Sequence, residues 1–227
     1  MNLNSELSRH IAKVYSVTGL GLLITALVTI LIPSLGVQDW FITVKNNRES
    51  LTYFGIFMIF VPILLAFPLA FIGDMIGPVG PLSLYGVFCA SFGVSFYIIT
   101  SHYTLGSIFS AFFLTAGLFF GLSFIGFAIK KPLTGLYSVC MIGLWAMILV
   151  MISELIFHFT INQLIMNVLI LGIFSGLTVI DSKNIVSDFN MGNTSLPSII
   201  QSSVNLYLDV INLFASILEI TGIKSSD

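Results

Sequence analysis

The chain has 227 residues, 57% of them hydrophobic and 8% charged, with a formal net charge of −2 and a mean hydropathy of +1.06. A soluble domain carries about 25% charged residues, so eight Lys+Arg and ten Asp+Glu are too few to clothe one. Two cysteines exclude a disulfide scaffold, 21 phenylalanines exclude disorder, and the slight negative charge leaves no basic field for nucleic acid. What remains is an all-α, polytopic membrane protein.

A membrane helix needs about 20 mostly apolar residues. In chain order, spans are expected near 14–32, 54–72, 82–100, 107–129, 133–152, 163–181 and 199–218, so that 1–227 is one polytopic domain of seven transmembrane helices. The first span follows Arg9 and Lys13 as a signal sequence would, but its apolar part is too long and no A-x-A-like site follows, so it reads as a retained helix. Pro33 to Tyr53, with Lys45-Asn46-Asn47-Arg48-Glu49, reads as a solvated loop. Pro62 and Pro68 are expected to kink span 2. Met75 to Ile129 is uncharged and long enough for two spans, with a hairpin at Ser101-His102-Tyr103-Thr104-Leu105-Gly106.

The loops also orient the chain. Seven spans place Arg9, Lys13, Lys130, Lys131 and Lys183 on the N-terminal side and Lys45, Arg48 and Lys224 on the other. That bias predicts a cytoplasmic N-terminus, in the plasma (inner) membrane if the source is bacterial. The C-terminus is outside if the last segment fully crosses and inside if it is re-entrant. Gly117-Leu118-Phe119-Phe120-Gly121 and Gly172-Ile173-Phe174-Ser175-Gly176 both carry G-x-x-x-G. They read as two helix-packing seams or as traces of a duplicated unit.

Ionisable residues inside spans are the informative ones, because Asp at a helix centre costs about 2.5–3.5 kcal/mol on insertion scales. Asp209 is the only carboxylate in mid-span. Ser202, Asn205, Asp209, Asn212, Ser216 and Glu219 recur at helical spacing and make one polar stripe on the last span. Three arrangements suit such a stripe: a surface amphipathic helix, a buried polar seam, or a central helix lining a polar path. The absence of Lys and Arg disfavours the first. Asp181, at the end of span 6, reads alone as a boundary residue solvated or paired with Lys183. Beside Asp209 it becomes a pair that shares a proton and, when ionised, offers oxygens to a hard cation such as Ca²⁺. The tentative metal contacts are therefore Asp181 and Asp209, with calcium as a transient, permeant ion and no cofactor. His102 and His158 read as turn residues, Glu154 as an interface anchor, and Cys89 and Cys140 as small packing groups. No zinc-spaced cluster, P-loop or dinucleotide fingerprint occurs.

Phe174-Ser175-Gly176-Leu177-Thr178-Val179-Ile180-Asp181 and Leu206-Tyr207-Leu208-Asp209-Val210-Ile211-Asn212-Leu213-Phe214, followed by Ile220-Thr221-Gly222, resemble the transmembrane Bax inhibitor-1 motif family of YetJ-like and YccA-like proteins. Lys13-Val14-Tyr15 with Gly21 to Val28, Ala116-Gly117 with Gly121-Leu122-Ser123, and Gly77-Pro78 extend the likeness over nearly the whole chain. The resemblance implies seven helices with the last one central. It also implies a pH-sensitive Ca²⁺ leak whose sensor is an aspartate pair on the sixth and seventh helices, here Asp181 and Asp209. Three features depart from the family: Ile180 stands where Tyr is frequent, the residues after Asp181 differ from the usual Thr-Gln type, and span 2 lacks the Arg that latches the span 6 aspartate in YetJ-like members, which implies a leakier gate, a shifted pH or Lys183 as a substitute.

The expected function is thus a calcium leak rather than an enzyme, with the bilayer and calcium as partners and nucleic acid excluded. A non-conducting regulator that binds a membrane-protein partner is the alternative. An intramembrane aspartyl protease fits poorly, because such enzymes carry Gly-x-Gly-Asp at the second aspartate and Tyr207-Leu208-Asp209 stands here.

Overall fold

The computed structural model describes residues 3–45, 48–71, 80–157 and 161–225. Seven α-helices follow one another: α1 (Leu3–Ser34), α2 (Tyr53–Phe71), α3 (Gly80–Thr100), α4 (Leu105–Ala128), α5 (Thr134–Phe157), α6 (Gln163–Asn190) and α7 (Leu196–Thr221). Six of them, all but α2, are long and apolar enough to cross a membrane, and the described apolar stretch of α2, Tyr53–Ala66, is shorter. The chain is therefore an all-α membrane protein, with six qualifying spans and a further, shorter apolar helix among the described residues. Pro62 and Pro68 both lie inside α2.

Three features depart from the hydropathy reading, the first two for the same reason. α1 starts at Leu3, ahead of Arg9 and Lys13, and α6 runs on to Asn190, nine residues past Asp181. Both extensions are amphipathic. They bury His10 in α1 and Ser182 and Ile185 in α6 while leaving Arg9, Lys13 and Asn184 outside, so helix continues where an apolar run stops. Asp181 is consequently inside a helix rather than at its end. The third departure is the expected solvated loop, where β-branched Ile42-Thr43-Val44 form a strand. β1 (Ile42–Lys45) pairs antiparallel with β2 (Arg48–Leu51), Ile42 opposite Leu51. The expected Gly77-Pro78 element and the turn at His158 lie outside the described residues.

Contacts divide the described chain into two compact units, one of 1–102 with 193–207 and one of 103–192 with 208–227. In the first unit α3 packs on α1 and α2. Its approach to α1 is close because Gly93 leaves room: a Cβ there would stand 2.6 Å from Val28 Cβ. Interhelical hydroxyls tie the same faces, Thr25 Oγ1 donating to the Cys89 carbonyl at 2.9 Å and Thr29 Oγ1 to Gly93 at 2.9 Å. In the second unit α6 packs on α4 and α5. There Gly126 lies against the α6 backbone, where an added Cβ would meet the Val179 carbonyl at 2.5 Å and Ser182 Cβ at 2.9 Å.

The two G-x-x-x-G pairs behave differently from the expected pair of seams. Gly117 and Gly121 face open space, as does Gly172, and of the four only Gly176 is closed upon, by Cys140 Sγ and Leu136. The α4–α6 seam is made by Gly126 instead, because it is on the face that meets α6.

Candidate functional site

The site lies in the second unit, between α6 and the C-terminal half of α7. A larger share of the apolar window of α7 is buried than of any other qualifying span among the described residues. Its polar stripe is not uniform. Asp209 and Ser216 are 2% and 1% exposed, Ser202, Asn205 and Asn212 are half-buried, and Glu219 is exposed. Each amide in the stripe is satisfied separately. Asn205 Oδ1 accepts from Gln201 at 3.2 Å, and Asn212 Nδ2 donates back to the Leu208 carbonyl at 2.8 Å. Glu219 Oε2 accepts from Asn167 Nδ2 at 2.7 Å.

Asp209 is the exception. Its Oδ2 is buried and has no hydrogen-bond partner among the described residues. The groups around it come from α6 and α5. Asp181 is near enough for its charge to act on Asp209, and the Thr178 hydroxyl is close enough to influence the Asp209 carboxyl. The Cys140 thiol on α5 lies in the field of both aspartates. Thr178 and Asp181 are neighbours on α6 because three residues make nearly one helical turn. Asp181 is less enclosed. Asn184 Nδ2 approaches its Oδ1 at 3.5 Å, and the charge of Asp188 also reaches it.

Lys183 does not pair with Asp181. Its Nζ donates to the Lys131 carbonyl on the α4–α5 connection, so the lysine serves the turn rather than the acid. Glu154 caps rather than merely anchors, its Oε1 accepting from Ile161 N at 2.7 Å. Cys89 and Cys140 are free and buried, and His102 is exposed in its turn. Among the described residues no group of three or more His, Cys, Asp or Glu gathers as a metal cage.

Thr178 and Asn167 were not singled out in the sequence. A signal was present: Asn167, Phe174, Thr178, Ser182 and Ile185 are all buried and recur at helical spacing on α6. A hydroxyl on an apolar helix usually bonds its own backbone, as Thr178 does to Phe174 O at 2.7 Å, so nothing local marks this one as a neighbour of an acid.

These features define a class: a multi-pass helical membrane protein with a buried carboxylate and a second acid in its field. The family model described as Inhibitor of apoptosis-promoting Bax1 matches residues 7–226, and the chain belongs to this Bax inhibitor-1 family. The chain is 30% identical over 224 residues to the inner membrane protein YbhL of Escherichia coli K12, an alignment covering 95% of this chain and 92% of that one. It is 29% identical over 231 residues to an uncharacterized protein of Borreliella burgdorferi (97% and 94% covered). It is 27% identical over 218 residues to an uncharacterized membrane protein of Streptococcus pyogenes serotype M3 (95% and 93% covered).

Proposed function

We propose that the chain is a pH-sensitive calcium leak, without enzymatic activity, in which Asp181 and Asp209 sense protons and contact the ion. The observation that carries this reading is the buried, unpartnered Oδ2 of Asp209 with Asp181 in its electrostatic reach. A polar atom held so costs about 1–3 kcal/mol, a cost that a proton or a passing cation relieves. Two interacting carboxylates titrate as a pair, so a small change in pH changes the charge between α6 and α7. Calcium takes six to eight oxygens. Two carboxylates and one hydroxyl fall short of that, which suits an ion in transit with some of its water. A cytoplasmic N-terminus and a plasma-membrane location go with this reading.

The test is calcium flux into dye-loaded proteoliposomes across roughly pH 5 to 8, for wild type and for Asp209→Asn. The expected result is a pH-dependent leak that the substitution locks or abolishes. A variant gating like wild type would remove Asp209 from the mechanism, and no flux at any pH would remove the leak itself.

One observation favours a second reading, a non-conducting regulator. Gly117 and Gly121 on α4 have nothing within 4 Å of an added Cβ, leaving a small-residue face for a helix of a membrane-protein partner.

A further inference from the structure

The seam between α6 and α7 is tied at the end away from the aspartates. Asn167 is 7% exposed and donates Nδ2 to Glu219 Oε2 at 2.7 Å. Ten residues of α7 separate Asp209 from Glu219, about 15 Å of helix, and fourteen residues of α6 separate Asn167 from Asp181, about 21 Å. Asp181 lies in the electrostatic reach of Asp209 while Asn167 bonds Glu219, so the two helices run antiparallel and the two pairs mark opposite ends of one seam. Between them lie half-buried Asn212 and buried Ser216.

The Glu219 end is also held from outside the helix pair. Past α7, Gly222 N donates to the Leu218 carbonyl at 2.7 Å, and Thr104 N donates to Ile223 O at 3.1 Å. Ile223 N donates to Ser107 Oγ at 2.8 Å, and Tyr103 forms a β-bridge with Lys224. Among the described residues, titratable and charged groups at this end include Glu219 itself, Tyr103 and Lys224, with Glu154 bonded to Ile161 N ahead of α6. Burial, and secondarily the charge of Glu219, push the Tyr103 phenol up, so it stays neutral beside the acid. The chain after α7 is thus strapped to the start of α4, and Glu219 is positioned chiefly by one neutral amide.

We propose that Asn167 and Glu219 form a second closure of the α6–α7 seam, in series with the aspartate pair, with Asn167 as its positioning residue. This inference rests on the calcium-leak reading above. The amide holds the end of α7 against α6, and the path at that end opens when the Nδ2–Oε2 bond parts. An interhelical hydrogen bond in a membrane is weak enough for this: it can be exchanged for water when the helices separate.

The experiment uses the full chain in the same proteoliposomes. Asn167→Cys with Glu219→Cys is oxidised, and cross-linking is verified by mass spectrometry. Flux at the wild-type opening pH is expected to be lost on oxidation and restored on reduction, with each single variant indifferent to the oxidant. A cross-linked protein that conducts like its reduced form overturns the second closure and leaves the aspartate reading standing. A wild type without flux overturns both. Asn167→Leu is the companion variant, expected to raise flux at the closed pH about threefold to seventeenfold, the population shift from one lost interhelical bond. Resting flux in Asn167→Leu equal to wild type also overturns the closure.

Discussion

Tyr207 Oη lies 2.6 Å from Thr25 Oγ1, so the residue two places before Asp209 on α7 is bonded to α1. Thr25 has a single hydroxyl hydrogen, and the Cys89 carbonyl at 2.9 Å is its better-placed carbonyl acceptor. Tyr207 is therefore the donor of the pair. Both side chains are buried, and the Tyr207 ring is enclosed by Tyr85, Phe88 and Phe92. Tyr207→Phe should keep the ring packing and lose about 0.5–2 kcal/mol of stability. A double-mutant cycle with Thr25→Val, read by unfolding in mixed micelles, should return most of that loss as coupling. Additive losses would mean the two hydroxyls do not act on each other.

Thr178 has the same kind of constraint beside the acid. Its hydroxyl hydrogen is given to Phe174 O at 2.7 Å, so toward Asp209 it can only accept while that bond lasts. An ionised Asp209 has no hydrogen to offer, and the hydroxyl must then turn away from Phe174. Thr178→Val should displace the pH midpoint of flux, whereas Thr178→Ser should keep it. Equal midpoints in the two variants would show that the hydroxyl does not report on Asp209.

Glycine positions on α4 should separate sharply. Gly126→Val forces side-chain atoms onto the Val179 carbonyl and Ser182, and overpacking of this kind costs about 1–3 kcal/mol or more. A lowered melting temperature in detergent is expected. Gly117→Val and Gly121→Val meet open space and should leave the melting temperature of the isolated chain near that of wild type. If those two lower it as far as Gly126→Val does, the open face is wrongly assigned.

The two aspartates should not act independently. Asp209 lies in the electrostatic reach of Asp181, so the effects of Asp181→Asn and Asp209→Asn on the pH profile should fail to add. Once one carboxylate is gone, the second substitution should change the profile little. Two fully additive shifts would describe separate groups rather than a pair.

Much of the fold was legible in the residues. Uncharged runs marked the seven described helices, six of them long and apolar enough to cross a bilayer, because a bilayer rejects charge at every position along a span. The ends were less legible. The extra turns of α6 past Asp181 carry Ser182, Lys183, Asn184 and Ser187, and only packing shows that one face of them is buried. The hairpin at Ile42–Leu51 was hidden in the same way, since four-residue strands give a short pattern and become regular through their partner.

For the site, the sequence by itself determined the class of protein, the family and the two carboxylates, because an acid in an apolar run is costly and stands out. It also determined the stripe on α7, since spacing along one helix is a local property. Tertiary structure alone decided what each of those groups meets: Thr178 beside Asp209, Asn167 on Glu219, Lys131 rather than Asp181 for Lys183, and Gly126 rather than Gly121 against α6. The physical reason is that a hydrogen bond or a helix contact depends on the rotation and depth of a second helix. No periodicity within one segment carries that information.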